Sequence, residues 1–290
     1  MQPEQGRHHP HAAVAIPHIG GMDDGAPRQA PRIEGNEPLL AFDLLAAVPA
    51  ARNNQQLLRE RQQMGLVLNL IVQTIVWYGV MGAIIFSAAG TLSYAGGWLY
   101  LGEMVAISAV FGVYGVRVDP ELLRERLKPP VQKDQPLGDK LVLIPLLLLV
   151  FGAMAFMAAD AARWRWSMMP PSVQWAGCGL LLAALLFMYW SMRTNSFAAP
   201  VVKIQKERGQ VVITTGPYAI VRHPMYFGAL FYFVGTSLVL GSWWGLATVP
   251  VFALLLGVRI GIEEKTLRKG LEGYDDYARR VRWRLIPLIW

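Results

Sequence analysis

Apolar residues fall in six runs separated by polar segments, at positions 64–88, 96–116, 141–159, 173–192, 225–241 and 242–262. A helix needs about 20 consecutive apolar residues to cross a hydrocarbon core, and the shortest run, 225–241, lies near the lower limit of about 17. Almost no loop separates the fifth run from the sixth, which predicts a helical hairpin. The sixth should extend beyond the apolar layer, because Arg259 with Glu263 and Glu264 with Arg268 stand at i,i+4 spacing. The expected fold class is all-α: a polytopic membrane helix bundle of about six transmembrane helices with a C-terminal hairpin.

The polar segments divide the chain further. Residues 1–60 are rich in Pro, Gly, Gln and Asn, and read as a largely disordered cytoplasmic tail with a short amphipathic piece at 39–48. No apolar core follows a basic start, so the tail is not a secretory signal peptide. Its histidines, His8, His9, His11 and His18, lack the cysteines or spacing of a metal site, and no metal is expected. Four transmembrane helices occupy 61–195, and a catalytic region is expected at 196–290. Within the first part, Asn69, Gln73 and Thr74 should face other helices or a cavity. Glu103 is equally readable as a helix-pairing or snorkelling group, and no function is assigned to it. After Asp119, a basic segment should form a short interfacial helix capped by that residue and ended by Pro129-Pro130. Trp164, Trp166 and Trp175 mark an aromatic belt. In the connector 193–215, residues 211–213 are candidates for extended backbone.

Composition agrees: 54% of the 290 residues are hydrophobic and 16% charged, too apolar for an ordinary soluble domain. The net charge of +7 gains meaning from where the cations lie. Six lie in 1–62, six in 117–140, five in 193–223 and eight in 259–290, leaving only Arg163 and Arg165 in the alternate loops. This positive-inside asymmetry puts both termini in the cytoplasm of an integral membrane protein, of bacterial inner-membrane type. It also removes the need for a nucleic-acid partner to explain the basic charge. The single cysteine, Cys178, cannot form an intrachain disulfide and reads as a small apolar side chain.

The densest chemistry lies in Gly-Pro-Tyr-Ala-Ile-Val-Arg-His-Pro-Met-Tyr-Phe-Gly at 216–228. Pro224 suits the first turn of a helix, which sets Arg222 and His223 at that helix's N-terminal end, where the dipole is positive. The hairpin makes this stretch a neighbour of Glu263, Glu264 and Arg268. Together with Tyr218, Tyr226, Tyr274 and Tyr277, these groups suit a ligand both charged and aromatic. S-adenosyl-L-methionine is one: its sulfonium is attracted to tyrosine faces, its carboxylate to a helix N-terminus or Arg222, and its ammonium or ribose to a glutamate. A nucleotide or an anionic lipid headgroup fits the same chemistry.

Gly-Pro-Tyr at 216–218, Arg-His-Pro-Met-Tyr-Phe-Gly at 222–228, Glu263-Glu264, and Tyr274-x-x-Tyr277 followed by Arg282, Arg284 and Pro287 resemble the isoprenylcysteine carboxyl methyltransferase superfamily, which includes phospholipid methyltransferases. The resemblance covers the C-terminal third. It implies methyl transfer from S-adenosyl-L-methionine in a cytoplasmic pocket. Carried over by position, it implies cofactor contacts from Val211, Ile213, Gly216, Tyr218, His223, Tyr226 and Glu264. Glu263 would act with them, and Arg222 or Arg268 would orient a substrate carboxylate. Gln210 stands where the family commonly carries His. The acceptor would be a lipid or small hydrophobic molecule bearing a carboxylate, amine or thiol. Two alternatives remain open: a membrane NADPH-dependent reductase of the sterol type, and a non-enzymatic membrane scaffold. The oligomeric state is not legible.

Overall fold

The computed structural model describes the backbone of residues 37–133 and 135–290, with side chains from Gln56 onward. The tail before Glu37, with its four histidines, lies outside the described residues. Among the described residues the architecture is helical and contains no strand. Eight α-helices occur: α1 Glu37–Ala89, α2 Ala95–Val118, α3 Pro120–Arg126, α4 Leu137–Ala158, α5 Pro171–Thr194, α6 Pro224–Val239, α7 Thr248–Gly270 and α8 Tyr274–Arg280. Helix α1 starts at Glu37, so residues 37–60, where only a short amphipathic piece at 39–48 is expected in an otherwise disordered tail, are helical throughout. Ala, Leu, Gln, Glu and Arg dominate that stretch and are the strongest helix formers.

Five helical stretches are long and apolar enough to cross a membrane: Gln56–Ala89, Ala95–Val118, Leu137–Trp164, Pro171–Thr194 and Trp244–Gly270. The sixth, α6, is apolar but has only 16 residues. The chain is therefore the polytopic all-α bundle that its periodicity implies. Apolar side chains on the outer faces are widely exposed, Leu68 by 61% and Ile75 by 66%. In a bilayer that surface meets acyl chains, so its exposure carries no penalty.

The tightest packing joins α5 to α6. A Cβ on Gly235 would lie 2.9 Å from the backbone nitrogen of Leu181, so the two helices approach at a distance only glycine permits. Phe233 of α6 stacks on Phe252 of α7 at 4.0 Å between ring centroids, closing the expected hairpin. Its turn uses Gly241 at φ +74° and a short 3-10 turn at Trp244–Ala247. Helix α3 forms where expected, with the Asp119 carboxylate accepting from the Leu122 N–H at 2.9 Å. Pro145 lies inside α4. On α2, the Glu103 carboxylate is buried without a geometric hydrogen-bond partner among the described residues. Gln73 donates to Asn69 and to the carbonyl of Leu127, each at 3.0 Å, tying α1 to the end of α3.

Polar networks mark the two ends of the bundle. At one end Asp160, fully buried, accepts from the N–H and hydroxyl of Ser167 and from the Ser242 hydroxyl. At the other end lie α3, the start of α4, the connector 195–215, the start of α6, the end of α7, and α8. The basic loops converge there, and so do the motif residues.

Candidate active site

Helix α6 begins at Pro224, as the missing N–H of proline favours, with His223 as the residue before its first turn. The His223 side chain makes no capping bond. Its ring lies parallel to that of Tyr226, 5.7 Å between centroids and 10° between planes. Nε2 lies 3.4 Å from Glu264 Oε1, and Nδ1 lies 3.8 Å from Glu263 Oε2. The Tyr226 hydroxyl donates to Glu263 Oε2 at 2.7 Å. One imidazole thus stands between two adjacent carboxylates, which α7 can supply only because consecutive helical positions point about 100° apart.

Those carboxylates do different work. Glu264 is 4% exposed and accepts from Arg222 Nε at 2.6 Å and Arg284 Nε at 3.2 Å. Arg222 also donates from Nη1 to the carbonyls of Ala278, Val281 and Arg282. The main chain repeats the tie, with Arg222 N–H donating to Trp283 O and His223 N–H to Arg284 O, each at 2.9 Å. Arg222 and Glu264 therefore clamp the C-terminal segment onto the motif, a buried pair braced by further hydrogen bonds.

A cavity of about 310 Å³ opens above this clamp, near the low end for small-molecule sites. Among its lining residues are Val211, Ile213, Tyr218, Arg222, His223, Tyr226 and Glu263. Three expected positions stand apart from that wall. Gly216 adopts φ +56° at the start of a 3-10 turn, where a Cβ would lie 2.9 Å from Thr194 Oγ1; its contribution is the turn. Glu264 lies beneath the cavity. Arg268 is outside it, paired with Asp275 and placed over the Tyr274 ring. The i,i+4 pairs read from the sequence do not form, because both partners have better-buried alternatives: Glu264 takes Arg222, and Arg259 takes Asp139. Residues 211–213 have no regular structure, and Gln210 accepts from the Gln205 N–H at 2.7 Å, stitching the loop that carries them.

Two further residues complete the wall: Arg259, read from the sequence only as a helix-pair partner of Glu263, and Arg126, which sequence reasoning passed over. Arg259 donates from Nε to Asp139 Oδ1 at 2.8 Å and from Nη2 to Pro200 O at 2.6 Å, while its guanidinium lies 5.7 Å from the centre of the Tyr226 ring. Arg126 reaches over from α3 and donates to Ala198 O at 3.1 Å. Neither lies in the motifs, and no spacing rule joins α3 or α4 to α7. The Tyr218 hydroxyl is pushed up to about 12 by burial, partly opposed by a hydrogen bond with Asn195. Burial raises Tyr274 and Tyr277 in the same direction. Tyr277 donates to Tyr218 O at 2.8 Å, whereas Tyr274, another residue of the cavity wall, has its hydroxyl buried with no partner among the described residues.

With this geometry, similarity to known proteins becomes informative. Residues 173–272 match the phospholipid methyltransferase family. That phospholipid-methyltransferase-like region runs from the start of α5 to just beyond α7, so it contains the motif, the hairpin and both glutamates. A protein-S-isoprenylcysteine O-methyltransferase B of Arabidopsis thaliana is 35% identical over 89 residues, 28% of this chain and 42% of that protein. A protein-S-isoprenylcysteine O-methyltransferase of Saccharomyces cerevisiae is 30% identical over 132 residues, 44% of this chain and 54% of the relative. A nickel-cobalt-cadmium resistance protein, NccN, of Alcaligenes xylosoxydans xylosoxydans is 31% identical over 108 residues, 37% of this chain and 50% of the relative. The chain spans about half the length of the curated relatives it matches. The methyltransferase resemblance read from the motif residues is borne out, and its reach is the C-terminal part of the chain.

Proposed function

We propose that this protein is an integral membrane methyltransferase that uses S-adenosyl-L-methionine and acts on a lipidic or small hydrophobic acceptor carrying a carboxylate, amine or thiol. The observation that carries the reading is the meeting of His223, Tyr226, Glu263 and Tyr274, whose hydroxyl is buried without a partner among the described residues, around one cavity inside or beside the phospholipid-methyltransferase-like region. A buried hydroxyl without a partner costs free energy, and a polar ligand in the cavity relieves it. The donor set also fits the cofactor. Tyr218, Tyr226 and Tyr274 offer ring faces to a sulfonium; the N-terminal end of α6 favours a carboxylate; Glu263 can accept from an ammonium or ribose hydroxyl.

When bound, the cofactor supplies an electrophilic methyl carbon, and the electron pair of the breaking C–S bond stays on sulfur. The protein's part is to hold acceptor and cofactor in line and to exclude water, since proximity alone is worth several kcal/mol in such displacements. A carboxylate or thiolate acceptor needs no base. An amine acceptor must release a proton, and Glu263 or His223, 3.8 Å apart, can take it. The Arg222–Glu264 clamp keeps His223 in place from the side of Nε2.

Calorimetric titration of detergent-purified protein with S-adenosylhomocysteine, and in parallel with NADPH, tests the reading. Binding of the former with a micromolar Kd, about 8 kcal/mol, and its loss in His223→Ala are expected. Binding of NADPH alone would move the protein to the reductases, and binding of neither by folded protein would leave the scaffold reading.

A further inference from the structure

A second cavity, about 1050 Å³, lies beside the first. Its body is apolar, built by Trp77 of α1, Phe111 of α2, Phe151 of α4 and Tyr189 of α5, with Tyr189 stacked on Phe111 at 4.2 Å. All four come from membrane-spanning helices, and three of those helices lie wholly outside the phospholipid-methyltransferase-like region. The polar end is different in kind. Arg126, Lys128 and Arg193 line it against one carboxylate, Asp119, which is already engaged in capping α3.

The three cations are not equivalent. Lys128 is paired with Glu125, and Arg193 lies 5.9 Å from the centre of the Tyr114 ring. Arg126 makes one hydrogen bond, to the Ala198 carbonyl, and among the described residues no carboxylate lies within ion-pair distance of it. Burial pulls its guanidinium below the ordinary arginine range, the direction of a cation lacking a counter-ion. A half-buried arginine with open donors is a site for an oxyanion that can take two parallel N–H bonds. Its position is the decisive feature: Arg126 and Pro200 line both cavities, so an anion held by Arg126 would sit where the apolar cavity meets the one walled by His223, Tyr226 and Glu263.

We infer that the second cavity holds the apolar chain of the methyl acceptor and that Arg126, at the junction of the two cavities, selects acceptors with an anionic head. This deepens the methyltransferase reading and rests on it for the word acceptor. Cationic heads are disfavoured by Arg126 and Arg193 together, and uncharged heads leave the guanidinium unpaired. Carboxylate and phosphate share the required chemistry.

Competition of oleate, oleyl phosphate, oleyl alcohol and oleylamine for the protein in a non-ionic detergent, read as bound fractions by native mass spectrometry, tests this. The better of the two anions should bind about tenfold more tightly than oleyl alcohol, as one charge-assisted contact implies, and oleylamine should bind weakest. The winner between oleate and oleyl phosphate identifies the head. In Arg126→Gln the preference over oleyl alcohol should collapse towards unity, and in Arg126→Lys it should largely return. Thr74→Trp, which fills the cavity wall, should weaken all four. Equal binding of anion and alcohol by the unmodified protein, or an unchanged ratio in Arg126→Gln, overturns the inference. So does stronger binding of phosphatidylethanolamine than of either anion. Titration with S-adenosylhomocysteine separates the two readings: its failure removes the methyltransferase, while anion selectivity stands or falls on the oleyl series.

Discussion

Arg259 of α7 donates from Nε to Oδ1 of Asp139, in the first turn of α4, at 2.8 Å, and the two residues are 120 positions apart in the chain. Asp139 is fully buried, and its other oxygen accepts from Gln135 at 2.6 Å and from the Val202 N–H at 3.0 Å. One carboxylate therefore fastens α4, α7 and the connector that carries Val211 and Ile213. Asp139→Leu would leave the Arg259 charge buried and unpaired, at a cost of about 3–5 kcal/mol. Asp139→Asn, which keeps an acceptor, should cost less. Thermal unfolding in detergent measures both, and a leucine variant as stable as the parent would show that the pair does not hold the helices together.

Glu263 and Glu264 are adjacent in sequence but sit in unlike environments, so their substitutions should separate. Glu264→Gln weakens the clamp on Arg222 and Arg284, and should lower the unfolding temperature together with S-adenosylhomocysteine affinity. Glu263→Gln alters only the cavity wall and its bond with Tyr226. It should lower affinity by about tenfold, as the loss of one charge-assisted bond implies, with little change in stability. Matched losses of stability in the two variants would contradict the division of labour.

What could be read from the sequence, and what could not, follows the range of the interactions. The helices and the α6 start at Pro224 are local consequences of apolar run length and proline geometry. The gathering of His223, Tyr226 and Glu263 follows from the hairpin, so local pattern suffices there too. Position alone could not tell Glu264, beneath the cavity, from Glu263, in its wall; that depends on the C-terminal segment folding back over Arg222. Arg126 and Asp139 were not legible at all, because each becomes meaningful through a partner 63 or more residues away. The i,i+4 pairs at Arg259 and Glu264 misled for the same reason: a surface pair is worth a few tenths of a kcal/mol and yields to a buried one.

Tyr274 gives a test of the ligand itself. Its hydroxyl is buried without a partner among the described residues, so Tyr274→Phe should leave the stability of the empty protein unchanged or raise it by about 1 kcal/mol. If a ligand group satisfies that hydroxyl, the same variant should bind S-adenosylhomocysteine about tenfold more weakly. Calorimetry on the two proteins decides, and unchanged affinity would place the ligand's polar atoms elsewhere in the cavity.

The buried tyrosines also set an alkaline limit. Burial holds the Tyr218 hydroxyl at about 12, against an ordinary value of 10.0. A group whose folded value is raised contributes stability that is fully present below its unfolded value and is lost as pH climbs from there to the folded one. The window for Tyr218 therefore runs from pH 10 to pH 12, and the loss across it is about 3 kcal/mol. Tyr274 and Tyr277 are shifted the same way and add to the slope. Unfolding by denaturant in a non-ionic detergent, followed across this range together with tyrosinate absorbance, should show stability falling as pH rises, and the Tyr218 share of the absorbance, taken as the difference from Tyr218→Phe, should appear only as the protein unfolds. Tyr218→Phe should flatten part of the curve and leave the share of Tyr274 and Tyr277. A Tyr218 share of that signal developing in fully folded protein at pH 10 would mean that water reaches this hydroxyl freely, and the cavity would then be too open to exclude water from methyl transfer.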